Sequence, residues 1–386
     1  MSNKYIPFAL PEIGEEEIGE VTDALRSGWV TTGPKVKKFE SDFKSFIGGN
    51  VEAIAVSSAT AGLHLALEAL GVDEGDEIIV PSLTFTATAE VVRYLGANVK
   101  LVDVNPATLN IDPEAIRRAI TSRTKVIMLV HYAGLSCNMS EILSLAKEFE
   151  LKVVEDAAHA LPTTYRGDMI GSLESDITVF SFYANKTMTT GEGGMVVTRN
   201  SDYSRRMKIM RLHGIDRDAF ERFQSKKPSW YYEVVAPGFK YNMTDISAAM
   251  GIHQLRKLPK FLERRKYLVK RYLDALTDLP LILPVDDVDG GSHSWHLFVI
   301  RLQSNIQTSR DELIQFLSDQ GIGTSVHYVP LHRQPYWRDR YKLTSDMFPV
   351  ADRAYLNMIS IPLYTAMTDE QQDHVINSLK IFFKDL

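Results

Sequence analysis

The sequence predicts an α/β protein, with a larger unit built on a mostly parallel sheet between helices and a smaller α/β unit after it. Three observations carry this. From residue 53 to 155, short apolar runs rich in β-formers alternate with helical stretches of about ten residues, the spacing of βαβ units. The alternation then breaks: DITVFSF (176–182) and GMVVT (194–198) follow each other with only a polar, glycine-rich turn between them. Finally, a long helical stretch from Thr244 to Asp278 leads into a second set of short strands and helices.

The elements follow in order. Glu15 to Ser27 reads as a helix, and Lys35 to Phe46 as a second, basic at its start and apolar on one face. Strands are expected at AIAV (53–56), EIIV (77–80), VKLV (99–102), KVIML (125–129) and LKVVE (151–155), separated by helices over 60–70, 85–95, 113–120 and 139–149. A helix over 201–212 precedes an irregular stretch, 214–240, that holds Pro228, Trp230, Tyr231, Tyr232, Pro237 and Gly238. Irregular segments this long are usually functional or mobile. The 244–278 helix should kink or break near Pro259, because proline lacks the N–H that a helix interior needs. The last unit reads WHLFVIRL, helix 309–320, GTSVHYV, a loop rich in proline and aromatics, MISIPL and helix 368–383. The expected division is residues 1–250 for the large domain and 251–386 for the small one, reached along the long helix.

Composition narrows the function. The chain has 386 residues, 45% hydrophobic and 24% charged, with a net charge of −6. That balance asks for neither nucleic acid nor an anionic membrane as partner. The single cysteine, Cys137, excludes an internal disulfide and reads as a small, partly buried residue, in keeping with a cytoplasmic protein. The opening MSNKYIPFALPEI has no basic stretch followed by an apolar one, and no apolar run approaches the roughly 20 residues of a membrane helix. His64 and His131 stand alone and HExxH is absent, so no metal site is expected. The lack of G-x-G-x-x-G after the opening strand argues against a nicotinamide enzyme, and there is no G-x-S-x-G.

Four stretches carry candidate chemistry. Lys186 sits in the turn between VFSF and GMVVT. A solvated turn lysine is the ordinary reading, but a strand end followed by G-E-G-G would hold a desolvated, nucleophilic amine in a fixed place. In VVEDAAHA, Asp156 ends an apolar strand, where α/β sheets gather ligands; a carboxylate there can hold a pyridinium nitrogen protonated. His159 follows within reach of the same ligand. A helix cap and a core histidine are the plain alternatives for these two. In AVSSATAGLHLALEAL, Ser57 to Ala61 places hydroxyls and backbone N–H groups at a helix start, suited to a phosphate. Ser181 in VFSF is a second phosphate candidate. Phe85 in PSLTFTATAEVV could cover a flat ring or simply pack in the core.

Taken together, GWVTTGPKVKKFE, VSSATAGLHLAL, PSLTFTATAEVV, VHYAG, VVEDAAHA, FSFYANKTMTTGEGGMVVT, RLHGI, PGFKYNMTDISAAMGIHQL and VHYVPLHRQPYW resemble the DegT/DnrJ/StrS family of nucleotide-sugar aminotransferases. The resemblance spans nearly the whole chain. It implies a fold-type I enzyme dependent on pyridoxal 5′-phosphate, with a mixed, mostly parallel seven-stranded sheet. It implies that Lys186 bonds to the cofactor and moves protons, that Asp156 pairs with the ring nitrogen, and that His159 contacts the ring oxygen. Thr60, Ala61 and Ser181 would hold the phosphate and Phe85 would cover the ring. Asn242 would reach the phosphate of a neighbouring subunit, which makes a homodimer part of the site. The donor would be L-glutamate. HYAG, DAAHA and PGFKYNMTDI look most like the type that aminates UDP-linked 4-keto sugars, as in synthesis of UDP-4-amino-4-deoxy-arabinose for polysaccharide. Thr31, Gly33, Tyr183, Arg211 and His327 are candidate substrate contacts. Tyr183 departs from that type, which carries histidine there, so dTDP- and GDP-linked sugars and keto-inositols stay open. Members that dehydrate their sugar typically carry histidine in place of the lysine, and an inactive regulatory relative would lack Lys186, Asp156 or the phosphate threonine Thr60.

Overall fold

A computed structural model describes residues 5–216, 230–286 and 289–384. The part of the irregular stretch holding Pro228 lies outside them.

Seven strands form one sheet in the order β1-β9-β8-β5-β4-β2-β3. They are β1 (Glu52–Val56), β2 (Glu77–Pro81), β3 (Asn98–Val102), β4 (Thr124–Val130), β5 (Lys152–Asp156), β8 (Ile177–Ser181) and β9 (Gly194–Thr198). Only β9 runs against its neighbours, pairing antiparallel with both β1 and β8. It is the strand that follows the lysine turn with no crossover helix. A two-residue pair, β6 (Thr164–Tyr165) and β7 (Asp168–Met169), was not foreseen.

Both sheet faces are dry, which is why the strands read as nearly continuous apolar runs. Alternate residues Ile54, Val56, Ile78, Val80, Met128, Val154 and Val179 pack on one face with α3 (Ala59–Ala69) and α4 (Ala87–Tyr94). Their neighbours Ala53, Ala55, Ile79, Leu129, Val153 and Phe180 pack on the other. There they meet α2 (Pro34–Ile47), α6 (Met139–Glu148) and the start of the long helix. The remaining helices of this part are α1 (Glu15–Ser27), α5 (Pro113–Ala119) and α7 (Ser201–Met210).

The long helix is α8 (Asp245–Leu276), and it is unbroken with Pro259 inside it. Proline costs about 3 kcal/mol in a helix interior. Helix α8 buries Leu255, Leu258 and Ile252 against the sheet, and Leu268, Val269, Tyr272 and Leu276 in a separate core further along. Burial on both sides of the proline outweighs that cost. The second core lies over an antiparallel sheet of β10 (Leu281–Ile282), β11 (Phe298–Leu302) and β12 (Met358–Ile361). Around it lie α9 (Arg310–Asp319) and α12 (Asp369–Lys384). Two short helices, α10 (Pro335–Tyr341) and α11 (Pro349–Asn357), connect back.

GTSVHYV is not a strand. It makes one bridge, Ser325 to Ser360, then leaves the small sheet. It crosses to the large one, where the Tyr132 hydroxyl donates to the His327 carbonyl and the Leu331 N–H donates to the Ser82 carbonyl. The alternating pattern there faces a ligand pocket on one side, not a partner strand. No described helix is long and apolar enough to cross a membrane.

Candidate active site

The site lies at the C-terminal edge of the parallel strands. Asp156 ends β5, and Val179 of β8 is its neighbour in register. The loop after β8 is held by Phe182 N–H to the Gly193 carbonyl (2.9 Å), Thr190 N–H to the Phe182 carbonyl (2.9 Å) and the Thr187 hydroxyl to the Leu161 carbonyl (2.6 Å). Lys186 is carried on this pinned loop and lines a cavity of about 430 Å³ together with Asp156. A roomier groove of about 610 Å³ along α8, near Lys266 and Trp295, contains none of the candidate residues.

The charges in the cavity are tuned by burial. Desolvation brings the Lys186 amine down to about 8, against the opposing pull of Asp156. A substantial share of the amine is therefore neutral near pH 8, as a nucleophile requires. Burial pushes the Asp156 carboxyl up, while the Thr88 hydroxyl (2.8 Å) and the Ala158 N–H (3.1 Å) act to lower it. Thr84 bonds Thr88 in turn, at 2.8 Å. Burial, reinforced by the Lys186 charge, drives His159 well below its usual range, so the ring is neutral. Burial and Lys186 also bring His327 down to about 4.

An anion cradle faces these groups. Ser58 caps α3 and accepts from the Ala61 N–H at 3.1 Å. The N–H groups of Ala59 and Thr60 have no partner among the described residues, and both residues line the cavity. Glycine closes the cradle: a Cβ on Gly194 would stand 2.9 Å from the Ala59 nitrogen and the Phe180 oxygen. One on Gly193 would stand 2.6 Å from Met243 Cε. The Asn185 Oδ1 atom is buried without a partner at the same cavity.

The match to known proteins covers this whole frame. The family model described as the DegT/DnrJ/EryC1/StrS aminotransferase family matches residues 11–380.

The chain belongs to that family.

It is accordingly an enzyme that uses pyridoxal 5′-phosphate, a sugar aminotransferase. The chain is 43% identical over 384 residues to the spore coat polysaccharide biosynthesis protein SpsC of Bacillus subtilis (strain 168), covering 99% of this chain and 98% of that one. A putative sugar aminotransferase, Spr1654 from Streptococcus pneumoniae, is 35% identical in its PMP form, with a TM-score of 0.91 over 98% of this chain and 99% of that one. PseC of Helicobacter pylori, an aminotransferase involved in the biosynthesis of pseudoaminic acid, is 27% identical with a TM-score of 0.90 over 99% of this chain and all of that one (100%).

The residues present fit the family's cofactor: an anion cradle, a titratable amine, a carboxylate and a ring-sized cleft share one cavity. Thr60, Phe85, Asp156, His159, Ser181, Tyr183, Lys186 and His327 all line it. Phe85 is 56% exposed at the mouth, free to cover a flat ligand.

Other expectations need correction. The Ala61 N–H is spent on the Ser58 cap, so the open donors are one and two residues earlier. Arg211 does not line the cavity; its guanidinium is buried, bonding Glu40 (2.5 Å) and the Ala55 carbonyl (2.8 Å). Thr31 and Gly33 do not line the cavity. Nor does Asn242, which bridges to Val56 just before the Ser58 cap; its expected place was a neighbouring subunit's site. Asn242 donates to Thr32 Oγ1, and the Gly33 N–H donates to Asp245. His159 points neither nitrogen freely into the cavity: Nδ1 accepts from the Ala133 N–H (3.2 Å) and Nε2 meets the Tyr328 hydroxyl (2.9 Å). Sequence reading missed Thr84, Thr88, Asn185 and Tyr328. Asn185 was adjacent to the lysine and could have been found; the threonines sit one helical turn apart in PSLTFTATAEVV.

Proposed function

We propose that this chain moves an amino group from L-glutamate to the keto carbon of a nucleotide-linked 4-keto sugar, UDP-linked and of the 6-deoxy or pentose class. The observation that carries the reading is a half-buried lysine whose amine desolvation brings down to about 8, in one cavity with an aspartate and an open helix N-terminus. The names of its relatives, which speak of polysaccharide and pseudoaminic acid biosynthesis, support a sugar acceptor.

When bound, pyridoxal phosphate supplies an aldehyde that takes up the amino group and a ring that takes up negative charge. The Ala59 and Thr60 N–H groups and the α3 dipole would hold its phosphate, with Ser181 beside them. Asp156 would keep the ring nitrogen protonated. Lys186, once its amine is free, would take the proton from the donor's α-carbon and hold it on the same face for delivery to the cofactor, as its lowered basicity suits. Phe85 would shield that exchange from water. Tyr183 and His327, which line the same cavity, would contact the sugar or the donor.

We further propose a homodimer in which Asn242, with Thr31 and Gly33, completes the partner's site. None of the three lines this chain's own cavity, which supports that arrangement, and the Asn242 side chain bonds Thr32 and Lys240 rather than a cavity group. Residues 1–250 would then be the cofactor-binding domain and 251–386 the small domain that brings His327 to it.

The test is the visible spectrum of the cofactor-loaded protein before and after L-glutamate, followed by UDP-, dTDP- and GDP-linked 4-keto sugars and a keto-inositol. Bleaching by L-glutamate and recovery with a UDP-linked sugar is the expected result. A band indifferent to L-glutamate would overturn the donor, and recovery with another acceptor alone would overturn the UDP assignment.

A further inference from the structure

Tyr328 stands where the 323–329 segment crosses from the small sheet to the cavity, and it lines that cavity. The segment is tied on both sides of it, at His327 by the Tyr132 hydroxyl and at Leu331 by the Ser82 carbonyl. Its ring packs between Phe85, centroids 5.6 Å apart, and His159, stacked at 6.1 Å. The hydroxyl therefore has a defined place.

Its hydrogen also has a defined direction. Nδ1 of His159 accepts the Ala133 N–H, so that nitrogen carries a lone pair. A neutral imidazole with a bare Nδ1 bears its one hydrogen on Nε2. Nε2 must then donate to the Tyr328 oxygen, 2.9 Å away. That occupies an acceptor lone pair of the tyrosine and leaves its O–H free to donate elsewhere. No other partner for this hydroxyl exists among the described residues. Ala133, whose N–H donates to His159 Nδ1, sits at φ 58°, in the left-handed region. Burial pushes the Tyr328 phenol well above its usual range, so it keeps its proton. Lys186, Asp156, Tyr132, His327 and His296 are the titratable groups that surround the pair.

We propose that Tyr328, not His159, donates the hydrogen bond to the cofactor's ring hydroxyl oxygen, and that His159 is a positioning residue that aims the Tyr328 O–H. The chain Ala133 N–H, His159, Tyr328 is then a relay with one sense only. It fixes a donor where the ring oxygen carries negative charge. The inference rests on the cofactor assignment made above.

Two measurements test it. In the cofactor-free protein, ¹⁵N-histidine NMR should find His159 with its hydrogen on Nε2 from pH 6 to 9. A hydrogen on Nδ1 would overturn the relay outright. In the loaded protein, the pH midpoint of the bound cofactor's visible band reports how firmly the nitrogen joined to Lys186 holds its proton. Losing a donor to the ring oxygen destabilises the deprotonated form, in which that oxygen has lost its internal partner, so the midpoint must rise. Tyr328→Phe keeps the ring and should raise it by about one to two pH units, the worth of a hydrogen bond to a charged group. His159→Leu should raise it in the same sense by less. An unmoved midpoint in Tyr328→Phe, or a shift in His159→Leu alone, would overturn the proposal. No band in the unaltered protein would instead fault the cofactor assignment.

Discussion

Glu155 and Asp156 are consecutive carboxylates on one strand, and the pleat turns them to opposite faces of the sheet. Glu155 faces the core. It is fully buried and meets His131 Nε2 at 2.8 Å and the hydroxyls of Ser175 and Thr178. Thr178 is its cross-strand neighbour in register on β8. Burial alone would lift this carboxyl, but the His131 hydrogen bond and the two hydroxyls outweigh it and hold it low. His131 is satisfied as well, its Nδ1 accepting from the Cys137 N–H at 3.0 Å. Asp156 faces the cavity, has two donors, and is held high by burial. The same chemical group is thus finished on one face and left wanting a cation on the other. The difference teaches that burial does not distinguish a structural carboxylate from a functional one. What distinguishes them is whether the protein alone supplies the partners.

The comparison can be broken most sharply at the cavity. Lys186→Ala should lower turnover by about 10⁴-fold or more, since it removes both the attachment point and the proton carrier. Its melting temperature should not fall, because a desolvated amine with no hydrogen-bond partner among the described residues is lost; a fall of many degrees would make Lys186 structural. Next come the two carboxylates, exchanged for their amides. Asp156→Asn should cost about 10²- to 10³-fold in turnover with stability near normal. Glu155→Gln should do the reverse, costing about 1–3 kcal/mol of stability with turnover per folded molecule kept. Equal effects of the two on denaturant midpoint would erase the distinction.

A pH series sharpens it further. With the amine at about 8, uptake of pyridoxal phosphate by the stripped protein should speed up as pH rises through 8 and level off above it. Below 8 the rate should fall by about tenfold per pH unit, as the neutral fraction does. A profile still climbing at pH 10 would mean an ordinary, solvated lysine. The smallest effect belongs to Thr88→Val, which deprives Asp156 of its hydroxyl donor and should slow turnover by up to about tenfold, read as a change in kcat more than in KM.

The legible parts of this molecule were those written locally. Asp156 closes a short apolar run and Lys186 sits in the turn that follows another, so strand ends marked them, and both line one cavity. The sheet's alternation, and the reversal at β9, followed from the missing helix after VFSF. Long-range pairing stayed hidden. Arg211 looked like an open cation because its partner Glu40 lies 171 residues away. Tyr328 reads as a strand residue until His159, 169 positions distant, claims its hydroxyl. Ala61 was off by a single cap, since Ser57 and Ser58 look alike in sequence and only φ and ψ decide which one caps the helix. Pro259 was read by its local cost, whereas cores on both sides of it decide the helix.

Lys186 is, on this account, an amine that the protein leaves unfinished for its cofactor. Reducing the loaded protein with borohydride and mapping its peptides by mass tests this most directly. The account predicts that the cofactor's mass stays on the peptide containing Lys186 and is absent from the Lys186→Ala variant. The cofactor fixed to another lysine, or to Lys186→Ala as readily as to the unaltered chain, would contradict it.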